Sequence, residues 1–325
     1  MKILIPGGAG YIGSHMVKYA QDHDHEVTVL DDFSTGHDWA IKDCEVLEVN
    51  LLDKQKLESL LKGRLFDVVI HFAAKSIVSE SITKPNLYFY NNVVGSLNLF
   101  NAMLKNDLNN IVFSSTAAIF GNPMSKTINE NHVKNPINPY GRSKLIIENM
   151  LEDFVKAYNF NATCLRYFNA AGAHASGEIG EAHNPETHLI PNVLSSAINK
   201  NNSLEIYGND YDTPDGTCVR DYVHVEDLAQ AHLLSFDYMK KSKGFFSFNL
   251  GNGDGFSVMD IVKSCEKVTS RKLEYKLKER REGDPSILVA ESLAAKNIIG
   301  WKPKYRCIDD IVLSAWKWHK SQIKS

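Results

Sequence analysis

The sequence predicts an α/β protein: a doubly wound parallel sheet joined to a smaller, interleaved α/β region. Three observations carry that expectation. Short apolar runs alternate with longer amphipathic stretches through the first half, the pattern of successive βαβ units. A glycine-rich turn follows directly on the first apolar run, and after Asn169 the texture changes to a long Gly-, His-, Pro- and Glu-rich segment at 171–185. With 325 residues the chain is long enough for two cores, placed here in domains 1–169 and 170–325.

The strands are expected at 2–5, 27–30, 45–49, 68–72, 110–114 and 163–167, short segments rich in apolar and aromatic residues. Between them, 53–61 carries a leucine stripe at Leu57, Leu60 and Leu61. The segment 139–158 opens as a helix should, with Asn138 as cap and Pro139 at the first position. In the second half, 246–250 is again a buried-strand pattern, expected to return to the first sheet. No repeat or low-complexity tract interrupts the chain.

Composition excludes several classes of function. Hydrophobic residues at 43% and charged residues at 23% are ordinary globular values, and no apolar run is long enough to span a bilayer. A net charge of −3 gives no electrostatic reason for nucleic acid or an acidic membrane as partner. The N-terminal apolar run is too short for a signal-peptide core. Cys44, Cys164, Cys218, Cys265 and Cys307 form no CxxC pair, which fits reduced thiols and a cytoplasmic location.

Two groups of residues suggest chemistry. Gly7, Gly10 and Gly13 lie between the first strand and first helix, where glycines let the backbone approach a pyrophosphate and offer N–H groups to it. An ordinary tight turn uses glycines in the same way. Asp31, at the end of the second strand, strengthens the nucleotide reading: a carboxylate there accepts from both ribose hydroxyls and repels a 2′-phosphate, favouring NAD over NADP. The second group is Tyr140 and Lys144, at i and i+4 on one helix face, with Thr116 at the carboxyl edge of the sheet. A nearby cation is expected to lower the phenol's pKa and make Tyr140 a base, with the Thr116 hydroxyl relaying a substrate proton.

These motifs, with His71-Phe72-Ala73-Ala74, Arg166-Tyr167-Phe168-Asn169, Val219-Arg220-Asp221-Tyr222-Val223-His224 and Arg280-Arg281-Glu282-Gly283-Asp284-Pro285, resemble the extended short-chain dehydrogenase/reductase family over nearly the whole chain. Within it the chain is most similar to members that invert C4 of a UDP-hexose. The resemblance implies a Rossmann-type fold, bound NAD, a UDP-sugar substrate and a 4-keto intermediate. It makes Tyr140 the catalytic base, Lys144 its partner and Thr116 the family's hydroxyl. Cofactor contacts fall on Gly7, Gly10, Tyr11, Ile12, Gly13, Asp31, Asn50, Leu51, Phe72, Ala73, Asn92, Tyr140, Lys144 and Tyr167. Substrate contacts fall on Thr116, Tyr140, Asn169, Leu189, Tyr207, Arg220, Arg281, Asp284 and Leu288. A homodimer through helices at 85–106 and 139–158 is also implied.

Some positions depart from the family pattern. Pro6 removes an N–H before the glycine turn, Asn50 stands where an acid often meets adenine, and Ser76 stands where a lysine often reaches the cofactor, with Lys75 one position earlier. Leu288 falls at the position gating the sugar's C2 substituent, where its intermediate size leaves N-acetylhexosamines open as alternative substrates. A dehydratase would need an acid/base pair where Ala117 and Ala118 stand, and a non-catalytic NAD sensor would be free to lose Tyr140 or Lys144. Lys276 and Lys278 fit a solvated face. His23-Asp24-His25 fits a surface turn, and no metal is expected.

Overall fold

The computed structural model describes residues 1–199, 204–281 and 284–323. Six strands open the main sheet: β1 (Lys2–Pro6), β2 (Glu26–Asp31), β3 (Glu45–Glu48), β4 (Val68–His71), β5 (Asn110–Thr116) and β6 (Asn161–Tyr167). The seventh is Phe245–Leu250, which pairs parallel to β6. Across the sheet the order is Phe245–Leu250, β6, β5, β4, β1, β2, β3, with every pairing parallel.

Alternation along each strand feeds two cores. Ile3, Ile5, Val29, Ile70, Val112 and Leu165 face the helices Tyr11–Gln21 and Val225–Met239 through Met16, Ala20, Leu228 and Phe236. Leu4, Leu30, Val69, Ile111 and Phe113 face the other side, meeting Leu57, Leu61, Phe100, Met103, Ile147 and Leu151. Burial on both faces explains why the strands read as continuous apolar runs instead of alternating ones. The expected strand at 110–114 runs two residues further, so Thr116 is itself the last residue of β5.

The later part of the chain builds small sheets around a third core of Ile190, Val193, Leu194, Ile206, Ile261, Ile311 and Trp316. Asn169–Ala171 pairs with Tyr222–His224, and Val219–Arg220 sits between Phe256–Ser257 and Ile287–Leu288. Leu204–Tyr207 pairs with Tyr275–Lys278. No helix among the described residues is long and apolar enough to cross a membrane.

Beneath the carboxyl edge of the sheet lies a buried ion pair. Arg166 on β6 donates from Nε to Glu148 Oε1 (3.0 Å) and from Nη2 to Oε2 (2.7 Å), and Ser115 Oγ on β5 donates to the same carboxylate (2.5 Å). Glu148 belongs to the helix Pro139–Ala157, which is thereby tied to two strands at once.

Several histidines are held neutral by the core. Burial lowers His71 and His224 to about 3, and His232 to about 4. Their ordinary value is near 6.5, so on acidification the unfolded chain takes up protons that the folded chain refuses. Stability therefore falls as pH drops from 6.5 toward 4, by up to about 1.4 kcal/mol per pH unit for each histidine. Urea unfolding at pH 7.5, 6.5 and 5.5 is expected to show a falling midpoint with a shallower slope in His71→Gln; a midpoint that does not move would refute this account.

Candidate cofactor and catalytic site

The glycine turn is shaped by backbone proximity. Gly7 has φ +81°, and a Cβ on it would lie 2.3 Å from the Ala73 nitrogen; a Cβ on Gly13 would lie 2.0 Å from the Gly7 carbonyl oxygen. No side chain fits at either place. Gly10 caps the helix Tyr11–Gln21, whose N-terminal N–H groups face the turn. At the end of β2, Asp31 Oδ2 accepts from the Ala9 N–H and Oδ1 from the Phe33 N–H, both at 2.9 Å. Burial pushes its carboxyl up, against the two N–H groups that favour the charged form. Each oxygen keeps a further lone pair for a hydroxyl donor.

A cavity of about 100 Å³ is lined by Gly7, Gly10, Asp31, Asn50, Leu51, Phe72, Ala73 and Lys75. Gly10 and Phe72 also border a larger cavity of about 400 Å³, lined by Tyr11, Ile12, Gly13, Thr116, Tyr140, Lys144, Tyr167, Asn169, Leu189 and Leu288. A glycine cradle, an N-terminal helix turn and a carboxylate between two adjoining cavities fit a dinucleotide. Asn50 donates to Asp32 Oδ2 (2.5 Å) at the rim of the smaller one. Ser76 lines the larger cavity.

Tyr140 sits in the first turn of the helix Pro139–Ala157, which Asn138 caps by accepting from the Gly141 N–H (2.8 Å). One turn on, Lys144 is 2% exposed; its Nζ donates to the Ser114 carbonyl (2.7 Å) and lies 4.7 Å from the Phe113 ring centroid. Ser114 Oγ in turn touches the Tyr167 hydroxyl closely. Thr116 accepts from the Ala118 N–H (3.1 Å), and its side chain lines the same cavity as Tyr140.

The electrostatics differ from the sequence expectation. Burial pushes the Tyr140 phenol up, opposed by the Thr116 hydroxyl, whereas the sequence argument had a cation lowering it. Burial also lowers Lys144 to about 7, because the ammonium is removed from water with little charge to answer it. The protein's own groups thus leave the phenol protonated at neutral pH.

Asn92 lines neither cavity. It lies in the π-helical segment Phe89–Val94, where its amide accepts from Lys75 N (2.8 Å) and donates to Lys75 O (3.0 Å) and Ser143 Oγ (3.0 Å). It pins the strand-end loop against the tyrosine helix from behind.

Tyr207, Arg220, Arg281 and Asp284 also stand outside both cavity linings, in a cluster of their own. Arg220 donates to Asp284 Oδ1 (3.0 Å) and Pro285 O (2.8 Å), and the Arg281 guanidinium lies 4.1 Å from the Tyr207 ring centroid. The Leu288–Arg220 register sets this cluster beside the cavity wall. Glu282 and Gly283 lie outside the described residues.

The wall also holds groups that sequence reasoning missed. They are His37, Trp39, Glu181, His183 and His188; Tyr11, expected among the cofactor contacts, lines the same cavity and donates its hydroxyl to Gly172 O (2.6 Å). Two of these histidines and two glutamates fall within 181–188, a spacing that was visible in the chain. Their convergence depends on how a long loop folds.

The fold and site define a dinucleotide-binding enzyme of the short-chain dehydrogenase/reductase type. Residues 3–251 match the NAD dependent epimerase/dehydratase family, and the chain belongs to it. It is 46% identical over 320 residues to a UDP-glucose 4-epimerase of Halalkalibacterium halodurans, covering 98% of this chain and 96% of that one. It superposes with TM-score 0.94 on the Bifidobacterium longum UDP-glucose 4-epimerase in complex with NAD⁺ and UDP, at 34% identity and 99% of each chain. The UDP-Glc/GlcNAc 4-epimerase of Campylobacter jejuni gives TM-score 0.86 at 41% identity, covering 98% of this chain and 99% of that one.

Proposed function

We propose that this protein interconverts UDP-galactose and UDP-glucose by NAD-dependent epimerisation at C4 through a 4-keto sugar. The observation that carries this reading is the convergence of Thr116, Tyr140 and, one turn on, Lys144 on one cavity that the glycine cradle also lines. When bound, NAD⁺ supplies a reversible acceptor for the hydride of C4. In its phenolate form, which the positive charge of bound NAD⁺ would favour against the effect of burial, Tyr140 takes the proton of the 4-hydroxyl, and Thr116 holds that hydroxyl by a hydrogen bond. Gly7, Gly10, Gly13 and the helix Tyr11–Gln21 hold the cofactor pyrophosphate, and Asp31 the adenosine ribose.

Arg220 and Arg281, from distant segments, hold the UDP diphosphate, each offering a planar fork of donors. Firm anchoring of the nucleotide leaves the sugar free to turn in the larger cavity and present its other face. The Campylobacter jejuni relative favours a second reading, in which N-acetylhexosamines are also accepted, because Leu288 is smaller than an aromatic gate. Two copies pair through the helical faces bearing Tyr90, Leu97 and Ile146, large apolar side chains that are exposed in the single chain.

Purified protein given UDP-galactose is expected to form UDP-glucose by proton NMR. Tyr140→Phe should lose about 10²–10⁴-fold in turnover while still binding UDP; turnover within tenfold of the parent would remove Tyr140 as the base. Leu288→Tyr should lower the turnover of UDP-N-acetylgalactosamine relative to UDP-galactose, and an unchanged ratio would end this residue's claim. Sedimentation equilibrium should give a dimer that Leu97→Glu with Ile146→Glu dissociates; a monomeric parent chain would exclude this interface.

A further inference from the structure

We propose that Glu181, His183, Glu186 and His188 form a binding site for a divalent transition-metal ion of the Zn²⁺ class. This goes beyond the epimerase reading and does not depend on it. All four donor atoms lie within 4.8 Å of one another, although no metal was expected from the sequence. His23 and His25, the pair considered there, are not part of this set.

Glu181 is 5% exposed, and among the described residues its ion pairs are with imidazoles: His183 Nδ1 at 3.1 Å from Oε1, and His188 Nδ1 in closer contact. Glu186 Oε2 lies 3.7 Å from His183 Nδ1. A second observation is independent of this clustering: His183 Nδ1 is buried and has no hydrogen-bond partner, since its approach to Glu181 lacks hydrogen-bond geometry. Its ion-pair approach to Glu181 leaves that nitrogen without a directed bond, which a metal ion would supply.

The donor set selects the ion. Two imidazoles and two carboxylates suit Zn²⁺, which binds both types in a tetrahedron, whereas Mg²⁺ and Ca²⁺ call for all-oxygen shells. Zinc bonds of about 2.0–2.2 Å put tetrahedral donors roughly 3.4 Å apart, so the widest-spaced donors would close by up to about 1.4 Å while the two imidazole contacts to Glu181 would open slightly. The surroundings brace them. Trp318 Nε1 donates to the Glu181 carbonyl (3.0 Å), His37 Nε2 bonds the Ala182 carbonyl (2.8 Å), and the Trp39 ring stacks on both His37 and Trp318. An ion here would fix the stretch of cavity wall that leads into Leu189.

The test uses untagged, full-length protein stripped with chelator and titrated calorimetrically with Zn²⁺, then with Co²⁺ as a spectroscopic probe. The expected result is one tight equivalent of Zn²⁺, intense visible Co²⁺ bands typical of four-coordination, and a higher melting temperature with Zn²⁺. His183→Asn with Glu186→Gln, checked for folding by circular dichroism, should weaken binding at least about 100-fold and abolish the thermal shift. Absence of a stoichiometric site in the parent protein would overturn the proposal without recourse to any variant. Equal affinity in the double variant would overturn it too.

Discussion

The active geometry depends on a buried charge pair that never touches a ligand cavity. Tyr140, Lys144 and Glu148 succeed one another at one-turn intervals along one face of the helix Pro139–Ala157. The last of them is locked to Arg166 and Ser115 on adjacent strands, with both ionic side chains 1% exposed. Removing one partner of such a pair leaves an uncompensated charge in the core, at a cost of about 3–5 kcal/mol. The constraint sets the helix at a fixed height above the sheet edge, so that Lys144 meets the Ser114 carbonyl and Tyr140 faces the same cavity as Thr116.

The cofactor end follows a different rule: backbones are brought closer than side chains permit. Gly7 and Gly13 meet the Ala73 backbone and each other's turn at distances that exclude a Cβ. Asp31 then serves two purposes. Its carboxylate organises the turn through Ala9 and Phe33 while retaining lone pairs that face the smaller cavity. A carboxylate already held by two N–H groups needs little reordering when a ribose arrives, which is preorganisation in its simplest form.

The larger cavity is a shared wall between the main sheet and the smaller region. Ala171 ends its first contribution, and the chain then returns through Gly180, Leu189, Tyr222 and Leu288. Pairing of Asn169–Ala171 with Tyr222–His224, and of Phe245–Leu250 with β6, stitches the two regions together. Since Arg220 of the arginine cluster pairs directly with Leu288 across adjacent strands, nucleotide anchoring and sugar discrimination are mechanically adjacent.

Much of this was legible from the chain. Local rules place the strands, the Asn138 cap, the glycine turn, Asp31 and the Tyr140–Lys144 pair, because each depends on residues a few positions apart. Other features were not legible, since they arise from long-range contact. Asn92 is a brace behind the loop at Lys75 because a π-helical turn aims it there. Burial raises Tyr140 and lowers Lys144, a balance that no spacing encodes. Arg166 and Glu148 find each other across a helix-to-strand packing, and the 181–188 segment becomes a four-donor cluster only when Trp318 and His37 hold it. The sequence by itself determined which chemical groups are available and which local elements carry them. The tertiary structure decided their solvent exposure and their partners, because dielectric environment and close packing exist only once distant segments meet.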